Sequence, residues 1–120
     1  MNRLNLILTC LLGIFVLPCQ ARDATAHYIA NAGVMIVRGD TKILFDPLFT
    51  NSYGDYTLPP REMRDAIVAG KPPYDGIDAV FISHYHGDHF SPAEMIDLLT
   101  AQPSLRLYAP NRQQIDHFCG

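Results

Sequence analysis

His84-Tyr85-His86-Gly87-Asp88-His89 follows directly on the apolar run Ala79-Val80-Phe81-Ile82, and no other stretch constrains this chain as strongly. Four metal-ligand-type side chains fall within six residues. Imidazole nitrogens and a carboxylate oxygen are the donors of open, catalytic metal sites, whereas thiolate-rich sets hold closed structural ones. An apolar strand ending in such a loop delivers its ligands at the rim of a core, where water and substrate reach them. Read without a metal, the loop would crowd three imidazoles and an acid together unpaired beside a buried strand. A divalent cation removes that difficulty, so the residues predict a metal site and metal-assisted hydrolysis.

The spacing adds detail. His84 and His86 stand at i and i+2, and in an extended segment they project to the same side. Asp88 and His89 follow a glycine, which accepts the dihedrals of a tight turn. One loop can thus offer a histidine pair to one ion and an Asp-His pair to a second. Two ions about 3.5–4 Å apart clamp the attacking and leaving oxygens of a displacement.

His-x-His-x-Asp-His resembles the signature of the metallo-β-lactamase superfamily. The segment Asn31-Ala32-Gly33-Val34-Met35-Ile36-Val37, followed by Lys42-Ile43-Leu44-Phe45-Asp46-Pro47-Leu48, is similar to the opening hairpin of that superfamily. The resemblance runs in continuous order over residues 26–108, and its specific part is the metal motif. It implies an α/β fold, the four-layer αββα sandwich, with this chain supplying about the first half. It implies metal ligation by His84, His86, Asp88 and His89, with two Zn2+ ions in the complete protein; iron or manganese would suit the same donors. Asp88 would also be catalytic, orienting the attacking hydroxide or moving its proton. The strand-end Asp46 would support the metal loop from outside the ligand set; the plainer reading is that an Asp before Pro47 ends a strand. Members of the superfamily also carry a further His, an Asp or Cys and a last His, which have no counterpart before Gly120. His117 comes too soon after the motif to match, and reads as a solvated or packed histidine.

At the other end, residues 1–21 read as a secretory signal peptide. Arg3 and the amino terminus precede an apolar run over 6–17, and Cys19-Gln20-Ala21 approximates a small-residue cleavage site. A membrane anchor is the competing reading, but the run is short for about 30 Å of hydrocarbon. Pro18 before Cys19 argues against a lipoprotein signal. The expected location is periplasmic or secreted, with no stable membrane anchor after cleavage. Cleavage after Ala21 leaves 99 residues with eight of the nine basic and all twelve acidic side chains, a formal charge of −4. Nucleic-acid binding requires a basic face, which this balance argues against; a small-molecule substrate is the expected partner. Cys119 alone survives cleavage among the three cysteines, so the mature stretch, 22–120, has no internal disulfide.

Between the ends, the pattern alternates strands and helices, without repeats or low-complexity segments. Residues 28–38 are extended and broken at Asn31-Ala32-Gly33; Arg38-Gly39-Asp40-Thr41 has turn chemistry, and 42–45 resume as a strand. Residues 49–60 form an aperiodic loop that could bring Tyr53 or Tyr56 over the metal site, though a plain surface connection is the commoner use of such a loop. A helix is predicted over 61–69 with Gly70 as its stop, and a buried strand over 78–83. Ser91-Pro92-Ala93-Glu94 reads as a helix start with a capping box, and Met95, Leu98 and Leu99 fall on one face. Residues 105–109 alternate as a strand, and a last helix begins near Asn111. Tyr85 and Phe90 flank the ligands and would line a pocket or pack against neighbours.

Two function classes follow. The first is a dinuclear zinc hydrolase of an ester, lactone or phosphodiester, in which a metal-bound hydroxide attacks; the hairpin resembles the broad branch containing lactone and N-acyl-phospholipid hydrolases more than the antibiotic-hydrolysing one. The second is a non-catalytic or decayed exported half-domain lacking the remaining ligands, since a catalytic zinc takes three protein ligands. A di-iron redox centre, which the same scaffold also carries, is the third possibility.

Overall fold

The computed structural model describes residues 23–110; the leader, Cys119, His117 and the helix expected near Asn111 lie outside them. The described chain is a five-stranded mixed sheet carrying two helices. β1 (Thr25–Tyr28), β2 (Val34–Arg38) and β3 (Thr41–Phe45) pair antiparallel, and β4 (Ala79–Phe81) and β5 (Arg106–Tyr108) add in parallel, in the order β1-β2-β3-β4-β5. α1 (Arg61–Ala69) bridges β3 to β4, and α2 (Pro92–Ala101) bridges β4 to β5. Parallel neighbours require such crossovers, which place their helices against the sheet. No described helix is long and apolar enough to cross a membrane.

The period of two in the strands sorts the residues between the faces. Met35, Leu44, Val80 and Leu107 stand in register across four strands. They join Leu48, Phe49, Ile67, Ile82, Phe90, Met95, Leu98 and Leu105 in one core beneath the helices. The adjacent register row is Val34, Phe45, Phe81 and Tyr108. Phe81 stacks between Phe45 and Tyr108 at ring-centroid distances of 5.2 and 4.8 Å. Phe45 and Tyr108 remain 38% and 46% exposed, so among the described residues nothing covers this apolar face of the sheet.

Residues 61–69 are helical as the pattern predicts, and the stop is Gly70. At φ 62° it adopts the left-handed conformation that closes a helix, and its N–H returns to the carbonyls of Ala66 and Ile67. The side chain of Gln102, at the end of α2, donates to the carbonyls of Ile67 (2.8 Å) and Val68 (3.1 Å). It thereby supplies a donor to the Val68 carbonyl and a second one to that of Ile67, in the last turn of α1 where helical partners run out.

The start of α2 departs from expectation. Ser91 occupies the cap position and Pro92 the first helical position, but the Ser91 side chain makes no capping bond. Glu94 turns away from the helix end to pair with Arg64 on α1. A partner on a neighbouring helix has displaced the local capping box. Burial pushes the Glu94 carboxyl above its ordinary value, and the Arg64 charge opposes that rise only in part. A carboxyl raised on folding contributes stability that is complete below its ordinary value near 4.5 and is lost as pH climbs through the raised value. Arg64→Ala removes the opposing charge. It should lower unfolding free energy by about 1–3 kcal/mol at pH 7, with a smaller loss near pH 4, where Glu94 protonates. Urea unfolding of parent and variant at both pH values measures this.

β4 is shorter than the predicted 78–83. At its start Asp78 bonds to Lys42, its N–H to the carbonyl (2.9 Å) and its carboxylate accepting from the amide (2.8 Å). At its end the Ser83 N–H finds a carboxylate oxygen of Asp46 (2.7 Å) in place of a strand partner.

Candidate metal centre

The histidine loop begins where the sheet runs out. Asp46 closes β3 with a last rung to β4, its N–H donating to the Phe81 carbonyl (3.0 Å), and then turns at φ 42°. Aspartate tolerates this left-handed region better than most residues, because its short polar side chain bonds locally. The turn leaves the Asp46 side chain buried at the strand ends, 5% exposed. Its carboxylate collects three donors: the Ser83 N–H (2.7 Å), the Ser83 hydroxyl (2.6 Å) and Nδ1 of His89 (2.8 Å).

These contacts fix the histidine tautomers. A carboxylate only accepts, so His89 presents Nδ1–H to Asp46 and keeps the lone pair on Nε2. The single Ser83 proton is spent on Asp46, so the serine oxygen accepts from Nδ1 of His84 at 3.1 Å. That leaves Nε2 of His84 free as well. One buried carboxylate therefore orients two histidines, one directly and one through Ser83. Sequence reasoning had no reason to select Ser83; the signal available was a hydroxyl residue immediately before the motif.

His84, Asp88 and His89 each place a ligand atom within 4.8 Å of the others. Nε2 of His89 and a carboxylate oxygen of Asp88 lie 3.6 Å apart. Two ligands about 2.0–2.1 Å from one tetrahedral ion stand roughly 3.3–3.5 Å from each other, so the pair is close to closing on a cation. Two imidazoles beside a carboxylate form a donor set that fits a borderline divalent metal. His86 stands outside this trio, with its ring edge-on to that of His84 at a centroid distance of 4.9 Å; the His84 and His89 rings are 3.9 Å apart. The geometry thus draws His84 towards Asp88 and His89, where the spacing suggested a partnership with His86.

The 49–60 loop reaches the site, as the sequence allowed. Tyr53, Asp55 and Tyr56 line a cavity of about 380 Å3 together with His86 and Asp88. The loop also grips the metal loop at Gly87: the Asn51 N–H donates to the Gly87 carbonyl (3.1 Å), and the Gly87 N–H to the Tyr53 hydroxyl (3.3 Å). Contact is close enough that a Cβ on residue 87 would stand 2.8 Å from Cβ of Asn51. Gly87→Ala should therefore push the two loops apart, lowering stability by about 1–3 kcal/mol and weakening metal binding. Asn51→Gly in the same chain should recover part of both losses, as thermal unfolding with and without zinc would show. Of the aromatic flanks, Phe90 is a core residue and Tyr85 is exposed, and neither lines the cavity.

The family model of the metallo-β-lactamase superfamily matches residues 28–105. The chain is also similar to a cytidine monophosphate-N-acetylneuraminic acid hydroxylase of Danio rerio, 30% identical over 97 residues. That alignment takes in 77% of this chain and 15% of the relative, so the chain spans under a sixth of the relative's length. No solved structure matches the chain. With the matched region running from the end of β1 through the histidine loop and α2, the chain belongs to the metallo-β-lactamase superfamily.

Proposed function

We propose that this chain carries the first part of a dinuclear zinc hydrolase acting on an ester, lactone or phosphodiester. The observation that carries the reading is the convergence of His84, Asp88 and His89, each with a ligand atom within 4.8 Å of the others, while Nδ1 of His89 is held by Asp46 and Nδ1 of His84 by Ser83. When bound, a divalent ion brings the pKa of its water down to about 7 and polarises the oxygen under attack. The chain's own contributions are positional. Asp46 and Ser83 hold the imidazoles in one tautomer and one orientation. Asp88, within reach of the same point, is the group to hold or move a proton of the attacking water. The Tyr53 loop overhangs the site and bounds the volume open to substrate.

The uncovered face of the sheet, with Phe45, Phe81 and Tyr108 along it, supports the four-layer sandwich, in which a second sheet packs there. Export, with cleavage after Ala21, completes the proposal. His86→Ala is the direct test. In protein containing the full ligand set it should abolish hydrolysis of an ester, lactone and phosphodiester panel and weaken zinc uptake; retained turnover would remove His86 from the site.

Similarity to a protein named as a hydroxylase favours a second reading, an iron redox centre on the same donors. Metal analysis of purified protein, zinc against iron, separates the two. If neither metal is present and none is taken up, the non-catalytic half-domain remains.

A further inference from the structure

We propose that the cavity beside the histidine loop is a subsite for an ammonium group, with Asp55 as its counter-ion and Tyr53 and Tyr56 as its walls; as a substrate subsite it rests on the hydrolase reading. The lining of the cavity combines His86 and Asp88, members of the histidine loop, with Asp55 and two tyrosines from the 49–60 loop. No lysine or arginine is among the residues lining it. A phosphate or carboxylate lodged against Asp55 would meet a like charge with no lysine or arginine in the lining to offset it. A positively charged nitrogen there meets a carboxylate and two exposed tyrosines, and carboxylates with aromatic rings are the combination that recognises ammonium ions.

The walls are held in place before any ligand arrives. Tyr53 sits at φ 47°, in the left-handed region, and its N–H donates to the Asn51 side chain at 2.9 Å. Its hydroxyl accepts from Gly87 on the metal loop. The Ser52 carbonyl accepts the N–H groups of both Asp55 (3.0 Å) and Tyr56 (2.9 Å), which sets those two side by side on one turn. A backbone conformation that disfavours a bulky residue persists only where its surroundings determine it, and such positions concentrate at binding sites. Tyr53 and Tyr56 are 58% and 44% exposed, so their ring surface is open to a ligand. The substrate class that fits is an ester or lactone whose far end carries an amine, with the reacting carbonyl towards His86 and Asp88.

The test titrates the metal-free 120-residue chain with choline, ethanolamine and the neutral isostere 3,3-dimethylbutan-1-ol, following the tyrosine ring resonances by NMR. An exposed cation–aromatic contact reinforced by one carboxylate should make a cation bind about tenfold more tightly than the isostere. Asp55→Asn should remove that preference while leaving resonances distant from the loop unchanged. Choline against ethanolamine distinguishes a quaternary from a primary ammonium. Equal binding of cation and isostere, no binding of either cation, or a preference that survives Asp55→Asn would overturn the proposal. Because these titrations need neither metal nor turnover, their failure leaves zinc uptake and hydrolysis untouched. Loss of the hydrolase reading would equally leave ammonium binding to be seen.

Discussion

Asp46→Ala is expected to destabilise the protein by about 2–4 kcal/mol and to weaken zinc binding by roughly 10- to 100-fold. Two effects add in the stability loss. The variant strands the Ser83 N–H and the Nδ1–H of His89, both of which now donate to one buried carboxylate. It also puts alanine at φ 42°, which aspartate tolerates better. The loss of affinity has a separate origin: without Asp46, neither His89 nor the Ser83 bridge to His84 is held in one orientation. Asp46→Asn separates the two. Asparagine accepts the turn as readily as aspartate, but its amide offers one acceptor oxygen where three donors converge. It should recover part of the stability and little of the zinc affinity. Urea unfolding reads the first quantity, and competition against a chromophoric chelator the second. If Asp46→Asn bound zinc as the parent does, Asp46 would be only the end of a strand.

His89→Ala should cost more at the metal. A complete zinc site contributes about 10–16 kcal/mol, so one ligand in four accounts for roughly 3 kcal/mol, or about a hundredfold in affinity. The comparison among variants carries the information. His84, Asp88 and His89 form the converging trio, and His86 stands beside them. His84→Ala should therefore resemble His89→Ala, while His86→Ala retains more affinity for the first zinc equivalent. A pairing of His84 with His86, and of Asp88 with His89, gives a different order: His84→Ala and His86→Ala would then match each other. Zinc titrations of the three variants under one set of conditions decide which grouping the loop adopts.

The elements that sequence placed well share a short range. The stop at Gly70 is a local conformational requirement, so 61–69 was legible to the residue. Burial of Met95 and Leu98 follows from their spacing on one helix. The donor-rich loop was equally visible, because its residues are neighbours in the chain.

The errors share a longer range. Ser91 and Glu94 spell a capping box, yet Glu94 pairs with Arg64, thirty residues earlier, because helix packing brings that cation closer than the helix end's own donors. The same holds for the support of the site. Ser83 is 37 residues from Asp46, and His89 is 43, and they meet because parallel pairing of β3 with β4 sets Phe45 opposite Phe81. One residue of slip in that register would turn the Asp46 carboxylate to the opposite face.

The sequence by itself determined the ligand types, their delivery from the end of an apolar strand, and the boundaries that glycine and proline impose. Those are properties of adjacent residues and of local dihedral preference. Only the tertiary structure decided that Asp46 holds His89 directly and His84 through Ser83, that Gln102 closes α1, and that Tyr53, Asp55 and Tyr56 stand beside the histidine loop. Each of these depends on strand register and helix docking, where side chains far apart in the chain are brought within bonding distance by burial that no local pattern encodes.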